Sequence, residues 1–99
     1  MKLWLDDIRK APDGWQWVKT AQEAIACLST GKVKMVSLDH DLGNDELYGT
    51  GYTVLTWVER QVFENESFPI PEMLVHSANA VGRVNMFRAI RAIEKMRTK

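Results

Sequence analysis

Val33-Lys34-Met35-Val36-Ser37-Leu38 runs straight into Asp39-His40-Asp41, and the reading of this stretch decides the fold. A short, mostly apolar run closed by three ionisable residues is the pattern of a buried strand whose carboxyl end meets solvent or a ligand. The pattern occurs twice more. Leu3-Trp4-Leu5 stops at Asp6-Asp7, and Met73-Leu74-Val75 stops at His76-Ser77-Ala78-Asn79. Trp15-Gln16-Trp17-Val18 is rich in β-formers and supplies one more strand.

Between these runs the apolar period changes to that of helices. Thr20-Ala21-Gln22-Glu23 has the spacing of a capping box, and Ala21, Ala24, Ile25 and Leu28 follow on one face up to a stop at Gly31. Val54, Leu55, Val58 and Val62 mark a second helix running to about Asn65. Pro69 and Pro71 break the chain before the next strand. A last helix turns Met86, Ile90 and Ile93 inward and Arg88, Arg91 and Lys95 outward. The segment from Leu42 to Gly51 carries three glycines and reads as an exposed, partly mobile loop. Trp4, Trp17 and Trp57 are expected in the core.

Strands alternating with amphipathic helices imply an α/β fold with a parallel sheet covered on both faces. The Ile8–Gly14 connection, with Pro12 and Asp13-Gly14, is short for a parallel crossover. Either it is a minimal loop, or the second strand is antiparallel.

The chain has 99 residues, which fits one domain over residues 1–99. Lys plus Arg number 13, as do Asp plus Glu, so formal charge is zero and nothing favours nonspecific nucleic-acid binding or an anionic membrane. No apolar run approaches a membrane span or a signal peptide, which makes the cytoplasm the expected location. The single cysteine, Cys27, lies among Ala and Leu and reads as a small hydrophobe.

In an open parallel sheet the carboxyl ends of the strands share one edge, and ligands bind there at the topological switch point. Three polar clusters, holding both histidines, therefore converge. Aspartates favour turns, but two adjacent acids beside a third cluster repel unless a cation or proton lies between them. Asp6, Asp7, Asp39 and Asp41 are thus candidate ligands of a divalent metal. His40 and His76 read either as hydrogen-bonded structural imidazoles or as catalytic groups. Ser77 and Asn79 suit the cap of the last helix, whose free amides also suit a phosphate; Arg83 in its first turn adds positive charge.

Leu-Trp-Leu-Asp-Asp-Ile-Arg, Ser-Leu-Asp-His-Asp-Leu-Gly and Val-His-Ser-Ala-Asn together resemble the cyclic-phosphate-processing receiver domain family, over nearly the whole chain. The resemblance implies a receiver-like (flavodoxin-like) three-layer sandwich with a short, mostly parallel four-stranded sheet in the order 2-1-3-4. By that resemblance Asp6 and Asp7 match the magnesium-binding acids, Asp39 the phosphoacceptor and Ser77 the receiver hydroxyl. The fifth strand of an ordinary receiver and its lysine have no counterpart, and the first helix is reduced to the Ile8–Gly14 loop. His40 and His76 are additions that a phosphoacceptor does not require.

The expectation is a metal-dependent phosphoesterase acting on the cyclic phosphate of a nucleotide or RNA end. Mg²⁺, with Mn²⁺ or another divalent metal as substitute, sits on the aspartates; His40 and His76, beside Asp39, act as general acid and base; Ser77, Asn79 and Arg83 hold phosphate oxygens. The alternative is a non-catalytic receiver-like module that is phosphorylated on Asp39, or that binds a cyclic nucleotide or a partner protein.

Overall fold

The computed structural model describes residues 1–97. Its elements are β1 (Lys2–Leu5), β2 (Trp15–Val18), α1 (Ala21–Leu28), β3 (Met35–Leu38), α2 (Asp45–Tyr48), α3 (Gly51–Glu64), β4 (Glu72–Val75) and α4 (Ala80–Lys95). The four strands form one sheet in the order β2-β1-β3-β4, and every pairing is parallel. The short β1–β2 connection is therefore a minimal loop, and the antiparallel option is excluded. No helix among the described residues is long and apolar enough to cross a membrane.

Strand register sorts the side chains onto two unlike faces. Leu3 and Leu5, Val18, Val36 and Leu38, and Met73 point to one face and are buried beneath the side-by-side helices α1, α3 and α4. Those helices contribute Ala21, Ala24 and Leu28; Val54, Leu55, Val58 and Val62; and Met86, Ile90 and Ile93 to the same core. Arg88, Arg91 and Lys95 face outward, as the spacing of the last helix requires.

The opposite face carries Lys2, Trp4, Trp15, Trp17, Met35, Ser37, Glu72 and Leu74. Its third layer is not helical, in keeping with a first helix reduced to a loop. The Ile8–Gly14 connection crosses it instead, tied down where the Trp4 indole donates to the Arg9 carbonyl at 2.9 Å. Trp4 and Trp17 are consequently only partly buried, outside the core assigned to them, and Trp57 packs against the core's margin. Cys27 also packs there, and burial pushes its thiol above the usual range, in keeping with a structural role.

Thr20 caps α1 as expected, accepting from the Glu23 amide. The Leu42–Gly51 segment is more ordered than its glycines suggest. Asn44 caps the single turn of α2 by accepting from the Glu46 and Leu47 amides, and Asp41 bridges Thr50. Thr50 and Thr53 then form a reciprocal capping box, and α3 starts at Gly51. A Cβ at Gly51 would lie 2.2 Å from the Asp39 carbonyl oxygen, so only glycine lets α3 approach β3 this closely. Gly51→Ala should therefore cost about 1–3 kcal/mol by overpacking, with about 4–8 °C lost from Tm per kcal/mol in a domain of this size. A thermal melt at wild-type Tm would contradict that packing.

Candidate functional site

Backbone pairing brings the strand ends together. The Asp6 amide donates to Val18 O, the Asp39 amide to Leu5 O and the His76 amide to Leu38 O, so the polar residues leave the sheet at one level. Carboxylate oxygens of Asp6, Asp7 and Asp39 lie within 4.8 Å of one another. Asp41 is set apart from this trio: its carboxylate accepts from His40 Nδ1 at 2.9 Å and from Asn79 Nδ2 at 3.2 and 3.3 Å.

Asp6 is 2% exposed, and three donors leave one lone pair open, on Oδ2. Its Oδ1 accepts from the amides of Ile8 and Arg9, at 2.9 and 2.7 Å, and its Oδ2 faces His76 Nε2 at 3.1 Å. A carboxylate only accepts, so His76 Nε2 carries the proton. The other nitrogen of the neutral ring, Nδ1, then accepts from the Ser37 hydroxyl at 2.7 Å. The ring lies flat on Trp4, with centroids 3.8 Å apart and planes 4° from parallel. Held on both nitrogens and one face, His76 is an oriented donor to Asp6. Burial pulls its pKa down, against the opposing pull of the Asp6 carboxylate.

The same donor logic gives His40 a different role. Its Nδ1 donates to Asp41, which leaves the neutral ring's Nε2 as an acceptor with no protein partner among the described residues. The side chain keeps 20% exposure, and its unpartnered Nε2 is not sealed from solvent. Gly82 makes this placement possible: a Cβ there would fall 2.5 Å from His40 Cγ. The bond to His40 holds Asp41 below the usual carboxylate range.

Ser77 is buried, and its Oγ accepts from the Asn79 amide. Asn79 caps α4 through Oδ1, which accepts from the Gly82 amide, and spends its Nδ2 on Asp41. Arg83 is exposed and donates to the Ser77 carbonyl at 3.4 Å. Of the residues expected to hold phosphate, Asn79 is thus committed to the protein, while Ser77 and Arg83 stand at the α4 N-terminus. Sequence reasoning passed over Trp4, Arg9, Ser37 and Gly82. A serine inside an otherwise apolar strand, directly before Leu38-Asp39, was the one available signal.

Burial raises the Asp39 pKa above the usual aspartate range, and the nearby Asp6 charge adds to the rise. The Ser77 hydroxyl, the His40 amide and His76 oppose it. A carboxyl whose folded pKa is raised favours folding when protonated, and that contribution is lost as pH rises through the folded pKa. Ionised Asp39 therefore destabilises the metal-free domain at neutral pH. Asp39→Asn should raise Tm in EDTA at pH 7, and the gain should shrink as pH falls through the aspartate range, where wild-type Asp39 becomes neutral. A constant gain across that range, or none at pH 7, would contradict the electrostatic account.

Comparison with known families places these motifs together. The chain matches the model of the cyclic-phosphate processing receiver domain over residues 1–92. No curated protein and no solved structure matches it. With the match spanning all four strands, the acidic trio and both histidines, the chain belongs to the cyclic-phosphate processing receiver domain family.

Proposed function

We propose that this protein is a metal-assisted phosphoesterase that opens a cyclic phosphate on a nucleotide or an RNA end. The observation that carries the reading is the gathering of three carboxylates beside an oriented histidine with a free acceptor nitrogen. Asp6, Asp7 and Asp39 offer hard oxygen donors from two neighbouring strands, a donor set suited to Mg²⁺ or Mn²⁺. Burial first, and the Asp6 charge second, raise the Asp39 pKa, and a divalent cation would stabilise the ionised carboxylate against both. A cation bound there would draw charge from the phosphoryl oxygens and so ease attack at phosphorus.

The remaining roles fall to the chain's own groups. Asp41 fixes His40 with Nε2 as acceptor, the arrangement of a general base that takes a proton from attacking water. The protonated ring then gives its proton to solvent, and the leaving ribose oxygen, on the far side of phosphorus, takes one from water. His76 serves the reaction by holding Asp6; it exchanges a proton itself only on giving up Ser37 or Asp6. At the start of α4 the amides of Ala80 and Val81 have no protein acceptor among the described residues, and Arg83 stands beside them. These donors suit the nonbridging oxygens of a phosphate.

A second reading rests on the Ser77 hydroxyl beside Asp39, the pair that a receiver uses around its phosphoacceptor. It makes the domain a phosphorylated or ligand-binding module without turnover.

Incubation with 2′,3′- and 3′,5′-cyclic nucleotides and cyclic-phosphate-ended RNA separates the two. The hydrolase reading expects a phosphomonoester product that requires Mg²⁺ or Mn²⁺ and disappears with Asp39→Asn. His40→Ala should lower the rate by about 10²–10⁴-fold. His76→Ala should weaken the rise in Tm that the metal produces as well as the rate. No product from any substrate, with acetyl phosphate labelling Asp39, would overturn the hydrolase in favour of the receiver module.

A further inference from the structure

A cavity of about 420 Å³ opens beside the acidic trio, with Asp7 in its wall. Leu42, Gly43 and Tyr48 supply an apolar side, and Lys19, Thr20 and Glu23 form a polar rim. Its volume lies within the range of small-molecule sites, and an apolar slot with a few polar groups at its edge is their usual character. Gly43 joins the cavity to the trio. Its φ is +95°, and a Cβ there would lie 3.4 Å from the Tyr48 ring and 4.0 Å from Asp7 Oδ2. The bare backbone at Gly43 therefore separates an aromatic ring from a candidate metal ligand by little more than one atomic layer.

The rim groups are not equally available. Glu23 accepts from the Lys19 amide and the Thr20 hydroxyl, and Thr20 accepts from the Glu23 amide, so both are committed to capping α1. Lys19 holds its ammonium 4.6 Å from the centre of the Trp17 ring, a contact that leaves hydrogen-bond donors to spare. Tyr48 is 41% exposed at the end of α2, and its hydroxyl has no partner among the described residues. What the cavity offers is one aromatic face, one cation and an adjacent site for a phosphate.

We propose that this cavity is the base subsite of the enzyme, in which Tyr48 stacks on the nucleobase whose cyclic phosphate lies at Asp6, Asp7 and Asp39. The inference rests on the cyclic-phosphate reading and deepens it by giving the nucleobase a place of its own. Of the rim groups only Lys19 is free to meet a base edge, because Thr20 and Glu23 are occupied. Purines and pyrimidines are therefore accepted with similar efficiency, since stacking is indifferent to base identity.

The test compares kcat/KM for a nucleoside 2′,3′-cyclic phosphate with that for 1-O-methylribose 2,3-cyclic phosphate, which lacks the base. Wild-type protein should prefer the nucleotide by about tenfold or more. Tyr48→Ala should abolish that preference and Tyr48→Phe should keep it. A parallel titration with adenosine, which has no phosphate, should shift the amide resonances of Gly43 and Tyr48. Turnover of both esters without preference, or a preference that survives Tyr48→Ala, overturns the base subsite and leaves the hydrolase standing. Adenosine shifts at Gly43 and Tyr48 without turnover of either ester uphold the subsite and overturn the cyclic-phosphate reading. Neither turnover nor shifts overturns both.

Discussion

Everything at the carboxyl edge of this sheet depends on three carboxylates being held closer than their charges favour. Asp6, Asp7 and Asp39 bring oxygens within 4.8 Å of one another, and at such distances unit charges still repel appreciably even in a well-screened site. The fold meets this cost with directed donors. Two backbone amides and His76 bind Asp6, while the His40 amide binds Asp39 at 2.8 Å. His76 is in turn fixed by Ser37 from the middle of β3 and by the Trp4 ring from β1. A rigid parallel sheet thus sets the spacing of the acids, and a partly buried imidazole sets the orientation of the most buried one.

The two histidines differ in what the fold leaves them free to do. His76 has a donor engaged, an acceptor engaged and a ring face covered, which suits a group that must not move. His40 has one nitrogen engaged by Asp41 and one open, with the helix backbone at Gly82 against its ring. In the proposed hydrolase, the Asp41–His40 pair follows the general logic of an activated base, an aspartate orienting a histidine that exchanges the proton. Asp41 is best understood through His40, although its place in the sequence groups it with the other acids.

Much of this was legible in the sequence because strand ends are. An apolar run stopped by Asp-Asp, Asp-His-Asp or His-Ser fixes where a strand leaves the core, and parallel pairing then carries all three ends to one edge. The capping boxes and the inward stripe of the last helix were legible for similar local reasons. Side-chain partnerships across the sheet were not, since Ser37 and His76 are 39 residues apart and meet only through the register of β3 and β4. The tryptophans misled because their size suggests a core position, whereas the first crossover is a loop and leaves Trp4 and Trp17 half covered. In Leu42–Gly51 the glycines outweighed Asn44-Asp45-Glu46, a helix start with an N-cap and two acids at the positive end of the dipole.

If Asp6, Asp7 and Asp39 hold one divalent cation, as proposed, Mn²⁺ reports on the site directly. Its unpaired electrons broaden NMR signals of nearby nuclei. Substoichiometric Mn²⁺ should erase the amide resonances of Asp6, Asp7 and Asp39 first, spare those at the far ends of α1 and α4, and release the erased ones when excess Mg²⁺ is added. Uniform weak broadening, or loss centred on the exposed glutamates instead, would contradict the account.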